Sequence, residues 1–386
     1  MITKPESPTA QPLQTRKPGY NYAINGFRGV CVLLVFLFHL EEGSQAILKP
    51  GSLGSMATGI LHSMNAFKYG VEMFFMISGY VIIGSLRKHA TVKSFFVDRA
   101  LRIYPAWLPL HVATFIIGPM MARGIFSDID LAHWCLYFFS DMVFLAPVLL
   151  PFPMGFPVAW SLSYEWMFYA LGGACVFLAR GHLGKWKSAI LTGIAAAVFI
   201  NLYPRGLFFL PGVILALYEE RLRAYIRFFR VPFAAMILFI MAWYGTGADK
   251  AELDTTLIEW LGDRRILFVI PAFCAGSYMF ACIALGSGWL TRKLCTPMPQ
   301  FLGKISYSFY LWHVIAMYPV KRLAIAYIMP IGGAWSAFAF FAVASFLLSV
   351  WVSWLSWHYI ETLFTRSLKR QLELPKQPAR IEAQEA

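Results

Sequence analysis

Long apolar runs alternate with short polar segments along almost the whole chain. A helix needs about 20 predominantly apolar residues to cross the hydrocarbon layer of a bilayer. The pattern therefore predicts an all-α fold, a polytopic transmembrane helical bundle. Helices are expected at about residues 24–40, 67–86 and 104–121, in the second half of the stretch 157–179, and at about 188–202, 207–218, 231–244, 266–285, 305–320 and 335–357. Several of these are short, so tilt or half-membrane geometry is expected for them. Residues 131–150 form a further apolar run, but Ser140 and Asp141 interrupt it and Pro147, Pro151 and Pro153 follow closely.

The charges between the runs decide what 131–150 does. Lys4, Arg16 and Lys17 precede the first run, and Arg87, Lys88, Lys93, Arg99 and Arg102 follow the second. Further basic segments lie at 180–187, 221–230 and 292–304, and an acidic one at 249–263. If 131–150 crosses fully, the three later basic segments fall outside. If it is a re-entrant or interfacial element on the outer side, they return to the cytoplasm and the acidic segment falls outside. The second arrangement follows the positive-inside rule, with Lys321–Arg322 as its one weak violation. The expectation is about ten spans, both termini cytoplasmic and a re-entrant or interfacial element near 131–150.

Composition agrees and narrows the class. Of 386 residues, 59% are hydrophobic and 14% charged, which excludes a soluble domain of this size. The formal charge of +13 lies in short segments between apolar runs, so it is an orientation signal and no nucleic-acid partner is expected. The six cysteines form no C-x-x-C and no zinc spacing; neither a disulfide framework nor a metal site is expected. Residues 1–20 are Pro-, Thr- and Gln-rich without an apolar signal-peptide region and read as a disordered cytosolic tail. A membrane-embedded domain over 21–364 and a charged cytosolic tail over 365–386 complete the organisation.

Within the first span, Arg28 and His39 enclose ten uncharged residues, GVCVLLVFLF. Eleven helical steps bring both onto one face, roughly 16 Å apart along the axis. Ionisable groups in such a helix are costly unless they face a polar interior, which makes them functional candidates. A surface-anchoring Arg and a hydrogen-bonded core His would satisfy the spacing equally. A neutral His39 at that depth could serve as a general base, and Glu72 (in GVEMFF) or Glu165 (in WSLSYEW) could orient it or hold an acceptor hydroxyl. Arg99 and Arg102, three residues apart, share a helix face and could clamp phosphates or simply anchor the segment. Ser78 and Gly79 read as a small-residue helix contact, since no nucleophile elbow or P-loop surrounds any serine. His313 reads as a satisfied core histidine, and His358 and Glu361 close the last span.

The segments INGFRGVCVLLVFLFH, GVEMFFMISGYVI, FFVDRALRIYP, AWSLSYEWMFY, KISYSFYLWH and YIETLF, in this order, resemble the acyltransferase-3 family of integral-membrane O-acyltransferases. The resemblance covers about residues 22–364. It implies transfer of an acyl group, acetyl by default, from cytoplasmic acyl-CoA to a hydroxyl of a carbohydrate or lipid-linked glycan. The expected setting is a bacterial inner membrane. It places the family's Arg–ten residues–His motif on Arg28 and His39, its Arg-x-x-Arg motif on Arg99 and Arg102, its Ser-Gly motif on Ser78 and Gly79, and its tryptophan-motif acid on Glu165. Two departures stand out: Glu361 is followed by Thr362 and Leu363 where the family usually has a proline, and little chain follows it to hold the esterase-like domain fused to some relatives. The expected mechanism has acetyl-CoA docking with Arg99 and Arg102 near its phosphates, its arm passing Arg28, and its thioester reaching His39. The competing reading is a multi-pass transporter of a glycan, acid or acyl group, which Pro- and Gly-broken spans also suit. A paired Arg motif with an intramembrane His favours the CoA enzyme.

Overall fold

The computed structural model describes residues 20–48, 59, 61, 63–121, 124–150, 152–181, 184–225, 230–246, 256–286 and 288–371. Among the described residues the regular structure is helical, with no strand. The longer helices are α1 (Tyr22–Ser44), α2 (Gly70–Lys88), α3 (Val92–Met121), α4 (Leu131–Met142), α5 (Trp160–Arg180), α6 (Gly184–Leu202), α7 (Leu210–Arg223), α8 (Pro232–Gly245), α9 (Ile266–Ala284), α10 (Pro297–Leu323), α11 (Met329–Leu355) and α12 (Thr365–Gln371). Each of the ten expected spans falls on one of these helices. Six stretches of the described residues are long and apolar enough to cross a membrane, and one of them, Pro297–Gln371, contains both α10 and α11. Large apolar side chains such as Ile116, Ile117, Leu191, Val198, Val343, Leu347 and Trp351 are exposed on the outside of the bundle. An outer surface of this kind is suited to lipid rather than water. The molecule is a multi-pass membrane protein.

Two elements differ from expectation in ways that matter for the site, and a third agrees with it. First, α1 starts at an Asn21 cap, whose side chain accepts from the Ile24 amide at 3.2 Å, and it runs four residues past Leu40. Glu41 and Glu42 are good helix formers and extend the helix instead of opening a loop. Second, the basic segment after α2 is the beginning of α3, a continuous helix of 30 residues despite Pro105, Pro109 and Pro119. Arg99 and Arg102 therefore sit on a rigid helix. Third, α4 has 12 residues, a length of about 18 Å, too short for a hydrocarbon layer of about 30 Å. Residues 131–150 thus do not form a crossing helix, in keeping with a re-entrant or interfacial element.

Packing sets the depth of each side chain. α1 lies against α10, α10 against α11, α2 against α7, α5 against α6 and α8 against α9. The α2–α7 contact requires glycine on both sides: a Cβ on Gly79 would come 2.1 Å from the Phe209 carbonyl oxygen, and one on Gly212 would come 1.9 Å from that of Met76. Such close backbone approach is how helices pack tightly within a membrane, and it is the contact expected at Ser78-Gly79. At the other end of the chain, Gly333 at φ 76° breaks the helix at the start of α11, a left-handed conformation that glycine adopts without strain. After α11 a wide π-helical turn, Ser356–Phe364, carries Glu361. The expected tail begins as helix α12, which is tied to α3 by a Lys369–Asp98 ion pair of 2.7 Å. Residues 1–19, 249–255 and 372–386 lie outside the described residues, and with them the two outer tail segments and part of the acidic segment.

Candidate active site

The Arg28 end of α1 faces a cluster of mixed charge from three other elements. The charged neighbours of Arg28 are Arg102 of α3, Glu361 of the π-helical turn and Glu165 of α5. Around Arg102 lie the same two carboxylates, Glu165 and Glu361, and the phenols of Tyr169 and Tyr307. Glu165 accepts hydrogen bonds from Ser78 at 2.8 Å and from Tyr169, one turn further along α5. Glu361 accepts from the Ser308 hydroxyl, which lies 2.8 Å from Ser356 Oγ. Two cations and two carboxylates are thus held among hydroxyl groups, the arrangement that makes burial of charge tolerable.

A cleft of about 250 Å³ opens onto this cluster, lined by Asp98, Leu101, Arg102, Glu361, Thr365 and Lys369. The two arginines of the Arg-x-x-Arg motif behave differently. Arg102 lines the cleft. Arg99 is buried, with Nη2 donating to Ser85 Oγ at 3.1 Å and to Asp98 at 3.0 Å, and its guanidinium over the Tyr169 ring. Arg99 braces α3 against α2 and fixes Asp98, which also pairs with Lys369.

At the other end of α1, His39 Nδ1 lies 2.7 Å from Glu42 Oε2. This carboxylate is three residues further along the same helix, a spacing at which side chains meet. With Nδ1–H donating to Glu42, Nε2 is the nitrogen available for proton transfer. The His39 side chain is 21% exposed and that of Glu42 52%, so the imidazole can be reached from its side of the bundle. The His313 ring of α10 lies 5.1 Å from that of His39, centroid to centroid. His313 is fully buried, and its Nδ1 donates to the Phe309 carbonyl at 2.9 Å.

The carboxylate that meets His39 in the structure is Glu42, where Glu72 or Glu165 was expected. The reason is depth. Gly70, at the head of α2, backs onto Cys31 and Leu34, five to eight residues before His39 in α1. Glu72 is consequently below the imidazole, where Arg205 Nε donates to Glu72 Oε1 at 2.5 Å. The Arg205 guanidinium in turn sits 4.1 Å from the centre of the Trp160 ring, a cation–π contact. Glu165 is deeper still, in the Arg28 cluster. The structure thus joins Arg28, Arg102, Ser78 and Glu165, places His39 apart from them, and puts Glu72 with neither.

Glu42, Tyr169, Glu361 and Arg205 were not singled out for the site from sequence. For Glu42 the signal is the His-x-x-Glu spacing, hidden by ending the helix at residue 40. For Tyr169 it is the four-residue offset from Glu165. Glu361 marks the YIETLF segment, but its position beside Arg28 depends on the π-helical turn. Arg205 is a lone cation in an apolar run, and nothing local names its partner.

The family model of the acyltransferase domain matches residues 21–355. Among similar proteins, the exopolysaccharide production protein ExoZ of Rhizobium meliloti (strain 1021) is 26% identical over 272 residues, covering 67% of this chain and 78% of its own length. Nodulation protein 10 of Rhizobium leguminosarum bv. viciae is 25% identical over 325 residues, covering 76% of this chain and 80% of its own. A Staphylococcus aureus (strain MSSA476) protein named as an O-acetyltransferase is 22% identical over 389 aligned residues, covering 91% of this chain and 58% of its own. No solved structure matches the chain. An acyltransferase domain spanning nearly all of the membrane-embedded helices does not suit a transporter, and the chain belongs to the acyltransferase-3 family of membrane O-acyltransferases.

Proposed function

We propose that the protein transfers an acetyl group from cytoplasmic acetyl-CoA to a hydroxyl of a carbohydrate or lipid-linked glycan presented on the opposite side of a bacterial inner membrane, with both termini cytoplasmic. The observation that carries this reading is the division of α1 into a cationic end beside a polar cleft and an imidazole end with a carboxylate-held His39. The two ends are separated by roughly 16 Å, a distance that suits the extended arm of a CoA thioester.

Arg102 and Arg28 meet the negative charge of the donor at the cleft, where arginine's planar fork favours phosphate oxygens. Arg99 keeps Arg102 in register from behind. At the far end, His39 Nε2 takes the proton of the acceptor hydroxyl as its oxygen attacks the thioester carbonyl carbon. The carbon–sulfur bond then breaks. The CoA thiolate leaves and takes the proton back from the imidazolium, so that the products are an acetyl ester and free CoA. Glu42 steadies the imidazolium between the two proton transfers. The basic segments support the orientation: Arg87, Arg180, Arg223, Arg292 and Lys293 lie at the ends of helices that the positive-inside rule puts in the cytoplasm. The name of the exopolysaccharide production protein of Rhizobium meliloti favours a surface glycan as acceptor.

The test is to incubate purified protein in lipid nanodiscs with acetyl-CoA and a panel of bacterial oligosaccharides. Free thiol and acetylated glycan should appear in equal amounts. Absence of thiol release with every CoA thioester and every acceptor would sink the reading.

A further inference from the structure

His313 has a property that a merely structural histidine would lack. It is fully buried, yet among the described residues its Nε2 has no hydrogen-bond partner. Its Nδ1 donates to Phe309, so in the neutral ring Nε2 carries a lone pair and can only accept. A buried acceptor without a donor costs about 1–3 kcal/mol, and each such group calls for an explanation. The ring is also held in place: Phe309 stacks on it at 6.0 Å and Tyr310 lies at 6.2 Å. The lone pair is therefore fixed in direction, and the ring lies beside that of His39, 5.1 Å between centroids.

The two histidines are alike in one respect. Each has Nδ1 occupied by an acceptor, the Glu42 carboxylate for His39 and the Phe309 carbonyl for His313. Each is left with Nε2 for a ligand. A proton relay from His39 through His313 does not fit, because among the described residues no group adjoins His313 Nε2 to receive the proton onward and Nδ1 already holds its own. Two neighbouring acceptors instead fit a ligand with two neighbouring O–H donors.

We propose, on the basis of the acyl-transfer reading above, that the acceptor is a vicinal diol such as a sugar ring presents. The reacting hydroxyl gives its proton to His39 Nε2, while the adjacent hydroxyl donates to His313 Nε2. That second bond orients the diol for attack and is not broken in the reaction. His313 is thus a specificity-determining residue that touches substrate, and it satisfies its own orphaned acceptor only when the right acceptor is bound. A site built to hydrogen-bond a substrate hydroxyl discriminates against an analogue lacking it.

The experiment compares trans-cyclohexane-1,2-diol with cyclohexanol as acceptors, acetyl-CoA being the donor, for the wild type, His313→Phe and His313→Gln in nanodiscs. The wild type should favour the diol in kcat/KM by about tenfold, the value of one hydrogen bond. His313→Phe should lower the diol-to-cyclohexanol ratio of kcat/KM from about tenfold to about one. His313→Gln keeps an acceptor oxygen and should restore part of the preference. Equal losses on both alcohols, with the preference intact, would overturn the proposal and make His313 a packing residue. So would a wild type that transfers to an oligosaccharide but never favours the diol. Should His313→Phe fail to fold, the diol-to-alcohol ratio of His313→Gln decides: a ratio like that of wild type on reduced activity in both overturns it, a lowered ratio supports it. Absence of thiol release from the wild type with any acceptor fails the acyl-transfer reading instead.

Discussion

The two ends of α1 are built from opposite electrostatic designs. Around Arg28 each charge has a counter-charge: Arg28 and Arg102 face Glu165 and Glu361, and the carboxylates are hydrogen-bonded to Ser78, Tyr169 and Ser308. Around His39 the side chains are under-partnered among the described residues, with one nitrogen of each imidazole assigned and His313 Nε2 unmet. A balanced cluster is stable without ligand, and under the proposed function it exchanges partners when the phosphates of the donor arrive. An under-partnered pair stores an unmet acceptor for a substrate to satisfy. The proposed function assigns donor binding to one end and chemistry to the other, and each half can be attacked separately.

The largest effect should come from the imidazole end. His39→Gln should lower turnover by about 10²–10⁴, the usual worth of a positioned general base, while the affinity for CoA, followed by its stabilisation of the protein against heat, stays within about twofold. A variant with normal CoA affinity and full turnover would remove the base from His39. A variant that loses CoA affinity as well would break the division between the two ends.

The next effect should come from the cationic end, and there the two motif arginines should part. Arg102→Ala should raise the KM for acetyl-CoA by about ten- to a hundredfold, the range for loss of a charge-assisted hydrogen bond, with kcat at saturating donor little altered. Arg99→Ala should leave KM nearer wild type and lower the melting temperature, because Arg99 is occupied with Ser85 and Asp98 behind the cleft. Identical kinetic behaviour of the two variants would show that both arginines reach the donor.

How much of this was legible in the sequence follows from the range of the interactions. The spans, the Arg28–His39 face and the packing at Gly79 depend on period and residue size, which are local, and the helices appear where the apolar runs put them. The pairing of carboxylates does not depend on local pattern. Glu72 and Glu165 both sit near helix starts and read alike in one dimension, yet one meets Arg205, 133 residues away, and the other Ser78, 87 residues away. Depth along α2 and α5, set by glycine contacts and by the helix lengths, decides between them. Glu42 was within sight on the same helix and was lost only to an early helix end. Arg99 and Arg102 were found as a pair, but which one faces the cleft depends on where α2 and the π-helical turn pack.

The smallest effect tests whether the comparison is confined to α1. Asp141, at the end of α4 and outside the candidate spans, is fully buried; its Oδ2 accepts from the Gly155 amide at 2.8 Å and its Oδ1 has no partner among the described residues. Burial pushes its carboxyl up to about 7, against the Gly155 hydrogen bond that pulls it down. An unfolded aspartate titrates at about 3.9. Between those two values the folded protein holds the proton and the unfolded chain has released it, so stability falls as pH rises from about 4 to about 7 and levels off above. Asp141→Asn keeps an acceptor for Gly155 and removes the titration. Its melting curve in nanodiscs should therefore lose the downward slope across this window and lie a few degrees above wild type at pH 8, while the CoA affinity and turnover belonging to the two ends of α1 stay unchanged at that pH. A turnover that changes while the melting slope persists would place Asp141 in the reaction and extend the site beyond the two ends of α1.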